Sequence, residues 1–321
     1  MTANRAHDGD PRVAAAPPAA PARGRAVFAL ALLAARLLPR GKDWTPRWIG
    51  RTLGAGMVCG LRTRHGAWLA VDPENLDLHT RLARLGGWDE HVLAACLDLL
   101  HDGAVFHDIG ASVGYFTIEV AACFGDRVSI VAVEPQPGPV GALTRSVTVN
   151  GYRNVRVLPL LLSDEQGEGR LHVPSRSVHA SLVPRARPRA VVSRAMTTLD
   201  ALVADGRTPA PDVIKIDVEG AELAVLRGAR AVLTRHHPAV IFESDANAHR
   251  FGYGRADLLA FLRDCGYTSF FHLHPDGPRA ADPVAGDEAA QDMAALVPER
   301  MTARFRAALS AENTGGRKDR P

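Results

Sequence analysis

The residues able to do chemistry gather where short apolar runs end. Phe106-His107-Asp108-Ile109-Gly110-Ala111-Ser112-Val113-Gly114-Tyr115 reads as a strand entering a glycine turn that opens a helix. Glycine at 110 and 114 lets the backbone approach a ligand where a Cβ would clash, and the helix start behind it offers unpaired N–H groups. The spacing is GxxxG, not GxGxxG, which suits a nucleotide-type ligand and disfavours a pyrophosphate. Without a ligand the same residues make a tight strand-to-helix turn. Glu134 closes the next run, Ile130-Val131-Ala132-Val133, at the spacing of about 20 residues that lets an acid accept both ribose hydroxyls of a nucleoside. Its plain alternative is a solvated strand-end acid. Asp164, after Leu162-Ser163, could accept from an adenine amino group or simply form a turn.

The densest signal is Asp212-Val213-Ile214-Lys215-Ile216-Asp217-Val218-Glu219-Gly220-Ala221-Glu222. A buried parallel strand is normally apolar, so Lys215, Asp217 and Glu219 in a strand and its exit mark a working site or a structural ion-pair cluster. Alternation puts Lys215 and Asp217 on one side of that strand, with Asp217 beside the glycine turn. Glu243 ends the following run, Val240-Ile241-Phe242, and adds a carboxylate at the same edge.

These residues need a frame. Runs at 105–109, 129–133, 155–162, 213–216, 239–242 and 268–273 alternate with helical patterns at 115–123, 140–150, 221–233 and 255–265. Val- and Ile-rich strands separated by helices predict a mostly parallel α/β sheet covered on both faces, with the site at the carboxyl ends of its strands. Ahead of it, apolar stretches flanking His65-Gly66 read as a hairpin, followed by a helix through Leu93, Leu97 and Leu100. The expected organisation is a disordered tail at 1–25, rich in Ala, Pro, Arg and Gly, then a lead-in of helices and hairpin at 26–100. The main domain follows at 101–300, and a helix end and tail at 301–321.

The 321 residues are 46% hydrophobic and 23% charged, with 38 basic against 35 acidic side chains. That balance gives no global field for nucleic acid, which is excluded as an expected partner. Cys59, Cys96, Cys123 and Cys265 are widely spaced and form no CxxC pair, as expected of reduced thiols in a cytoplasmic protein. The apolar run at 26–38 is shorter than the roughly 20 residues of a bilayer span and carries Arg36, so no integral membrane span is expected. Between Gly169 and Thr197 six arginines, at 170, 176, 185, 187, 189 and 194, stand without an acidic residue. That stretch reads as a solvated basic hairpin or as a lid over an anionic acceptor, with His179 and Ser181 inside it. His272 and His274 share a strand face but lack an obvious third metal ligand.

The combination of motifs between about Gly87 and Leu273 resembles the FkbM-type methyltransferases. It comprises Trp88-Asp89-Glu90, FHDIGASVGYFT, VEPQP with Asn150-Gly151, Leu199-Asp200, and DVIKIDVEGAE with Leu226-Arg227-Gly228-Ala229. The resemblance implies a Rossmann-like class I fold with an antiparallel edge hairpin, Met293 to Pro298 supplying its closing strand. It implies S-adenosylmethionine as cofactor, with Asp108, Gly110, Ser112 and Gly114 around its methionine part and Glu134 on its ribose; the family usually has Asn where Ser112 stands. The implied acceptor is a small-molecule hydroxyl on a sugar, glycolipid or secondary metabolite. Methyl transfer is an in-line displacement, and a hydroxyl needs a base. Asp217 and Glu243 are the candidates, with Lys215 beside them; a divalent metal is possible chemistry but is not expected. A nicotinamide-dependent oxidoreductase and a non-catalytic cofactor-binding module are the alternative classes.

Overall fold

A computed structural model describes residues 59–71, 88–174, 188–244, 246–281 and 291–315. The expectations for 1–25, for the apolar run at 26–38 and for the tail beyond 315 fall outside these residues, as do Arg176, His179, Ser181, Arg185 and Arg187. Five strands form a parallel block: β3 (Val105–Ile109), β4 (Ser129–Val133), β5 (Val155–Leu158), β9 (Val213–Ile216) and β10 (Ala239–Ser244). The central members are buried on both faces, as their Val and Ile content requires. One face carries α1 (Glu90–Leu99) and α2 (Tyr115–Phe124). The other carries α4 (Leu199–Ala204), α5 (Glu222–Arg227), α6 (Arg230–His236) and α7 (Arg255–Asp264). Helix α3 (Pro137–Asn150) follows β4 and sets Leu143 against Ala111 and Ala132.

The full sheet runs β12–β11–β13–β10–β9–β3–β4–β5, with β11 (Ser269–His274), β12 (Gly277–Ala280) and β13 (Gln291–Leu296). An antiparallel edge hairpin is present, formed by β11 and β12. The strand expected at Met293 to Pro298 is β13, which pairs antiparallel with β11 and is inserted between it and β10. Its Met293, Ala294, Ala295 and Leu296 are fully buried, so the slot excludes water from both its faces. The outermost strand is β12, which the sequence reading missed because Pro278 interrupts it; an edge position tolerates the absent N–H.

Two other elements differ from expectation. The run 155–162 divides at Pro159 into β5 and β6 (Leu161–Leu162), and β6 leaves the main sheet for a three-stranded one, β6–β8–β7. There β7 (Gly167–Pro174) and β8 (Pro188–Thr197), the described parts of the basic stretch, pair antiparallel. The helix expected over 221–233 breaks into α5 and α6 at Gly228, where a Cβ would stand 1.9 Å from the Ser163 carbonyl oxygen. Asp200 then accepts from Ala231 and Val232 N–H at 2.8 Å each, satisfying the start of α6.

Before the sheet, β1 (Cys59–Arg62) and β2 (Trp68–Val71) form the expected hairpin. Asn150 at the end of α3 holds it with two bonds, accepting from Trp68 N–H at 2.8 Å and donating to Trp68 C=O at 2.6 Å. Ser146 accepts from Ala70 N–H, also at 2.8 Å. Among the described residues no helix is long and apolar enough to cross a membrane, and Cys96, Cys123 and Cys265 are free thiols.

Candidate active site

The glycine turn is wound by alternating left-handed residues: Gly110 at φ +80°, Ser112 at +51° and Gly114 at +92°. Gly110 and Ala111 N–H both donate to Val133 C=O, at 2.9 and 3.0 Å, and lash the turn to the end of β4. Both glycines are required by the protein's own packing. A Cβ on Gly110 would lie 1.8 Å from the Asp217 carbonyl oxygen, and one on Gly114 would lie 2.3 Å from Leu143 Cδ1. Ser112 occupies a left-handed conformation that penalises most side chains, Asn least after Gly.

Glu134 faces this turn. Its Oε2 accepts from Ser112 N–H at 2.9 Å and its Oε1 from Gln136 N–H at 2.8 Å, with 3% of the residue exposed. Burial pushes its carboxyl up to about 7, and the two amides counteract only part of that. Arg194 on β8 donates to Pro135 C=O at 2.6 Å, so the basic stretch is anchored beside Glu134. Asp108 lies behind the turn, wholly buried, accepting from Thr117 N–H at 3.1 Å and Oγ1 at 2.6 Å. Its Oδ1 has no hydrogen-bond partner and sits 3.8 Å from Lys215 Nζ. Asp164 is exposed just past β6, where Ser163 Oγ donates to it.

Lys215 pairs with Asp217 at 3.1 Å, as alternation required, and its ammonium lies 4.5 Å from the Phe116 ring centre. Burial opposes that charge, but Asp217 and Asp108 outweigh it and raise the lysine, which stays an ammonium. Asp217 is a third exposed and opens onto a cleft also lined by Asp89, Val92, Phe116, Glu243 and Asp292. Ile216 pairs with Phe242, so Asp217 and Glu243 leave neighbouring strands at matching positions; Glu243 in turn faces Asp292 on β13. Paired residues project to one face, which sets three carboxylates in a row across β9, β10 and β13.

Sequence reasoning missed three contributors. Asp89 faces the row from the start of α1, at φ +41° and without capping its own helix. Asp292 accepts from His91 Nε2 at 2.8 Å; the only hint was an acid opening an otherwise apolar run. Glu222 accepts from Val218 and Gly220 N–H at 3.2 and 3.1 Å and from Tyr253 Oη at 2.8 Å, holding the turn that carries Asp217. No group of three His, Cys, Asp or Glu suited to a metal ion occurs among the described residues.

A sequence profile of the Methyltransferase FkbM domain matches residues 108–269. Hexuronic acid methyltransferase AglP of Haloferax volcanii is 26% identical over 141 residues, 44% of this chain and 56% of that protein, so the chain spans about half the length of this curated relative. Among solved structures, methyltransferase FkbM from Methylobacillus flagellatus KT aligns with a TM-score of 0.44 at 18% identity, over 68% of this chain and 52% of that one. An S-adenosylmethionine-dependent methyltransferase from Aquifex aeolicus aligns with a TM-score of 0.38 at 14% identity, over 68% and 93%.

Proposed function

Because the chain belongs to the FkbM methyltransferases, a family of S-adenosylmethionine-dependent enzymes, we propose that it methylates a hydroxyl of a sugar, glycolipid or secondary metabolite. The observation that carries this reading is the contact between the two halves of the site. The main chain of Gly110, in the turn that would hold the cofactor, rests on the main chain of Asp217, whose side chain opens into the cleft.

The residues fit the cofactor. Glu134 is a buried carboxylate aimed at the glycine turn and has acceptor capacity left for ribose hydroxyls after two amide bonds. Asp108 keeps one orphan oxygen behind the turn, so its part is to hold the turn and balance Lys215. When bound, S-adenosylmethionine supplies an electrophilic methyl group whose bond to sulfur breaks as the bond to the acceptor oxygen forms. Asp217 accepts the proton that the hydroxyl loses, the most exposed oxygen pair in the Lys215 cluster being its own. Lys215 pairs with Asp217 and orients it, and Phe116 and Val92 wall the cleft against water. Glu243, at the matching position on β10, orients the acceptor or shares the proton.

Calorimetry with S-adenosylmethionine and with NAD separates this reading from a nicotinamide enzyme: the first should bind and the second should not. Asp217→Asn should then retain cofactor affinity while S-adenosylhomocysteine release falls by about 10²–10⁴-fold. Undiminished turnover would remove Asp217 from the chemistry. Cofactor binding with no turnover of any acceptor would leave a binding module.

A further inference from the structure

The turn that links β9 to α5 is held by a buried polar cluster whose protons do not balance if every group keeps its ordinary charge. Glu219 and Gly220 are both left-handed there, at φ +59° and +99°, so the turn needs outside support to keep its shape. Glu222 supplies part of it, its Oε1 accepting from Val218 and Gly220 N–H. Tyr253, arriving from the segment beyond β10, closes the cluster. Its Oη lies 2.7 Å from Gly220 C=O and 2.8 Å from Glu222 Oε2, and it accepts from Leu223 N–H at 3.3 Å. Glu222 and Tyr253 are both buried, so no bulk water mends a mismatch between them.

A phenol has one proton to give. Gly220 C=O can only accept, so with that proton directed to it an ionised Glu222 would set a bare oxygen 2.8 Å from Oη with nothing between them to share. Sending the proton to Glu222 instead strands Gly220 C=O at 2.7 Å. One more proton removes the conflict. A carboxylic acid at Glu222 donates from Oε2 to Tyr253, Tyr253 donates to Gly220 C=O, and Oε1 remains the acceptor of the two amides. The Glu222–Tyr253 bond then runs from acid to phenol, the reverse of its sense for a carboxylate. Burial acts in the same direction, raising the Glu222 carboxyl against the opposing pull of its hydrogen bonds.

Taking the Gly110 turn as the seat of the cofactor, as above, we propose that Glu222 is kept as a neutral acid and forms with Tyr253 a proton-linked clasp, a pair of positioning residues that fix the turn between cofactor and cleft. The turn faces both ways. It begins at Asp217, which carries the carbonyl oxygen on which Gly110 rests and the side chain that opens into the cleft.

Infrared difference spectra of the full chain at neutral pH, unaltered minus Glu222→Gln, should contain the carbonyl stretch of a protonated carboxyl. Its absence means an ionised Glu222 and overturns the proposal. Glutamine reproduces one donor and one doubly accepting oxygen, so Glu222→Gln should bind S-adenosylmethionine within about twofold of the unaltered protein, read by calorimetry. Glu222→Met, and independently Tyr253→Phe in case the first does not fold, should bind it about tenfold more weakly. Denaturation midpoints that fall in these two variants while cofactor affinity stays put would mark a merely structural clasp and overturn the positioning role. An unaltered chain that fails to bind S-adenosylmethionine overturns the cofactor reading and the positioning role with it, while the infrared band judges the proton separately.

Discussion

At Glu134 near-complete burial and two backbone amides pull one carboxyl in opposite directions. Burial prevails, and the proton leaves at about 7 rather than the ordinary 4.5. The folded chain therefore holds this proton more tightly than the unfolded chain does. The stability it contributes is complete below about 4.5 and is lost as the pH rises through about 7. Ribose hydroxyls donate to the ionised form, so affinity for S-adenosylmethionine should rise by about tenfold between pH 6 and pH 8. Glu134→Gln should bind the cofactor at least about tenfold more weakly at pH 8 and lose that slope, as read by calorimetry across the range. A slope that survives in the variant assigns the titration to another group. The same scale explains why Lys215, buried and paired twice, belongs with Asp217 as a positioning charge.

Among the elements, the short helices beneath the sheet depend on contacts from other segments more than on their own sequence. Helix α6 has seven residues and no cap of its own, and its first free amides are met by Asp200, 31 and 32 positions away in sequence. Asp200→Ala should therefore cost about 1 kcal/mol, measured as a fall in the denaturation midpoint with an unchanged m-value. An unaltered midpoint would show that water replaces the carboxylate without loss. Leu199-Asp200 and Leu226-Arg227-Gly228-Ala229 meet at one junction, where Asp200 N–H donates to Gly228 C=O at 2.9 Å.

For the whole molecule, the β1–β2 hairpin is joined to the methyltransferase domain through Asn150 and Ser146 on α3, the helix that follows Glu134. Asn150→Ala removes two bonds to Trp68, worth about 1–3 kcal/mol together, so amide exchange across 59–71 should accelerate by roughly tenfold or more while the β3–β4–β9 core keeps its protection. Equal acceleration in the core would mean that hairpin and domain unfold as one unit. The parallel strands, the glycine turn and the acids that end β4, β9 and β10 were legible in the sequence alone. Local rules govern all three: β-branched runs make strands, alternation assigns faces, and glycine permits left-handed backbone. Tertiary structure alone decided that β13 enters between β10 and β11, because strand order depends on long-range pairing that no local pattern encodes. That one insertion carries Asp292 to Glu243 and brings both beneath Asp89, completing a charged wall from residues far apart in the chain. The types of side chain at the site could be read in order along the sequence; which of them share a cleft is set by the sheet's crossover, since proximity there is a property of the closed core.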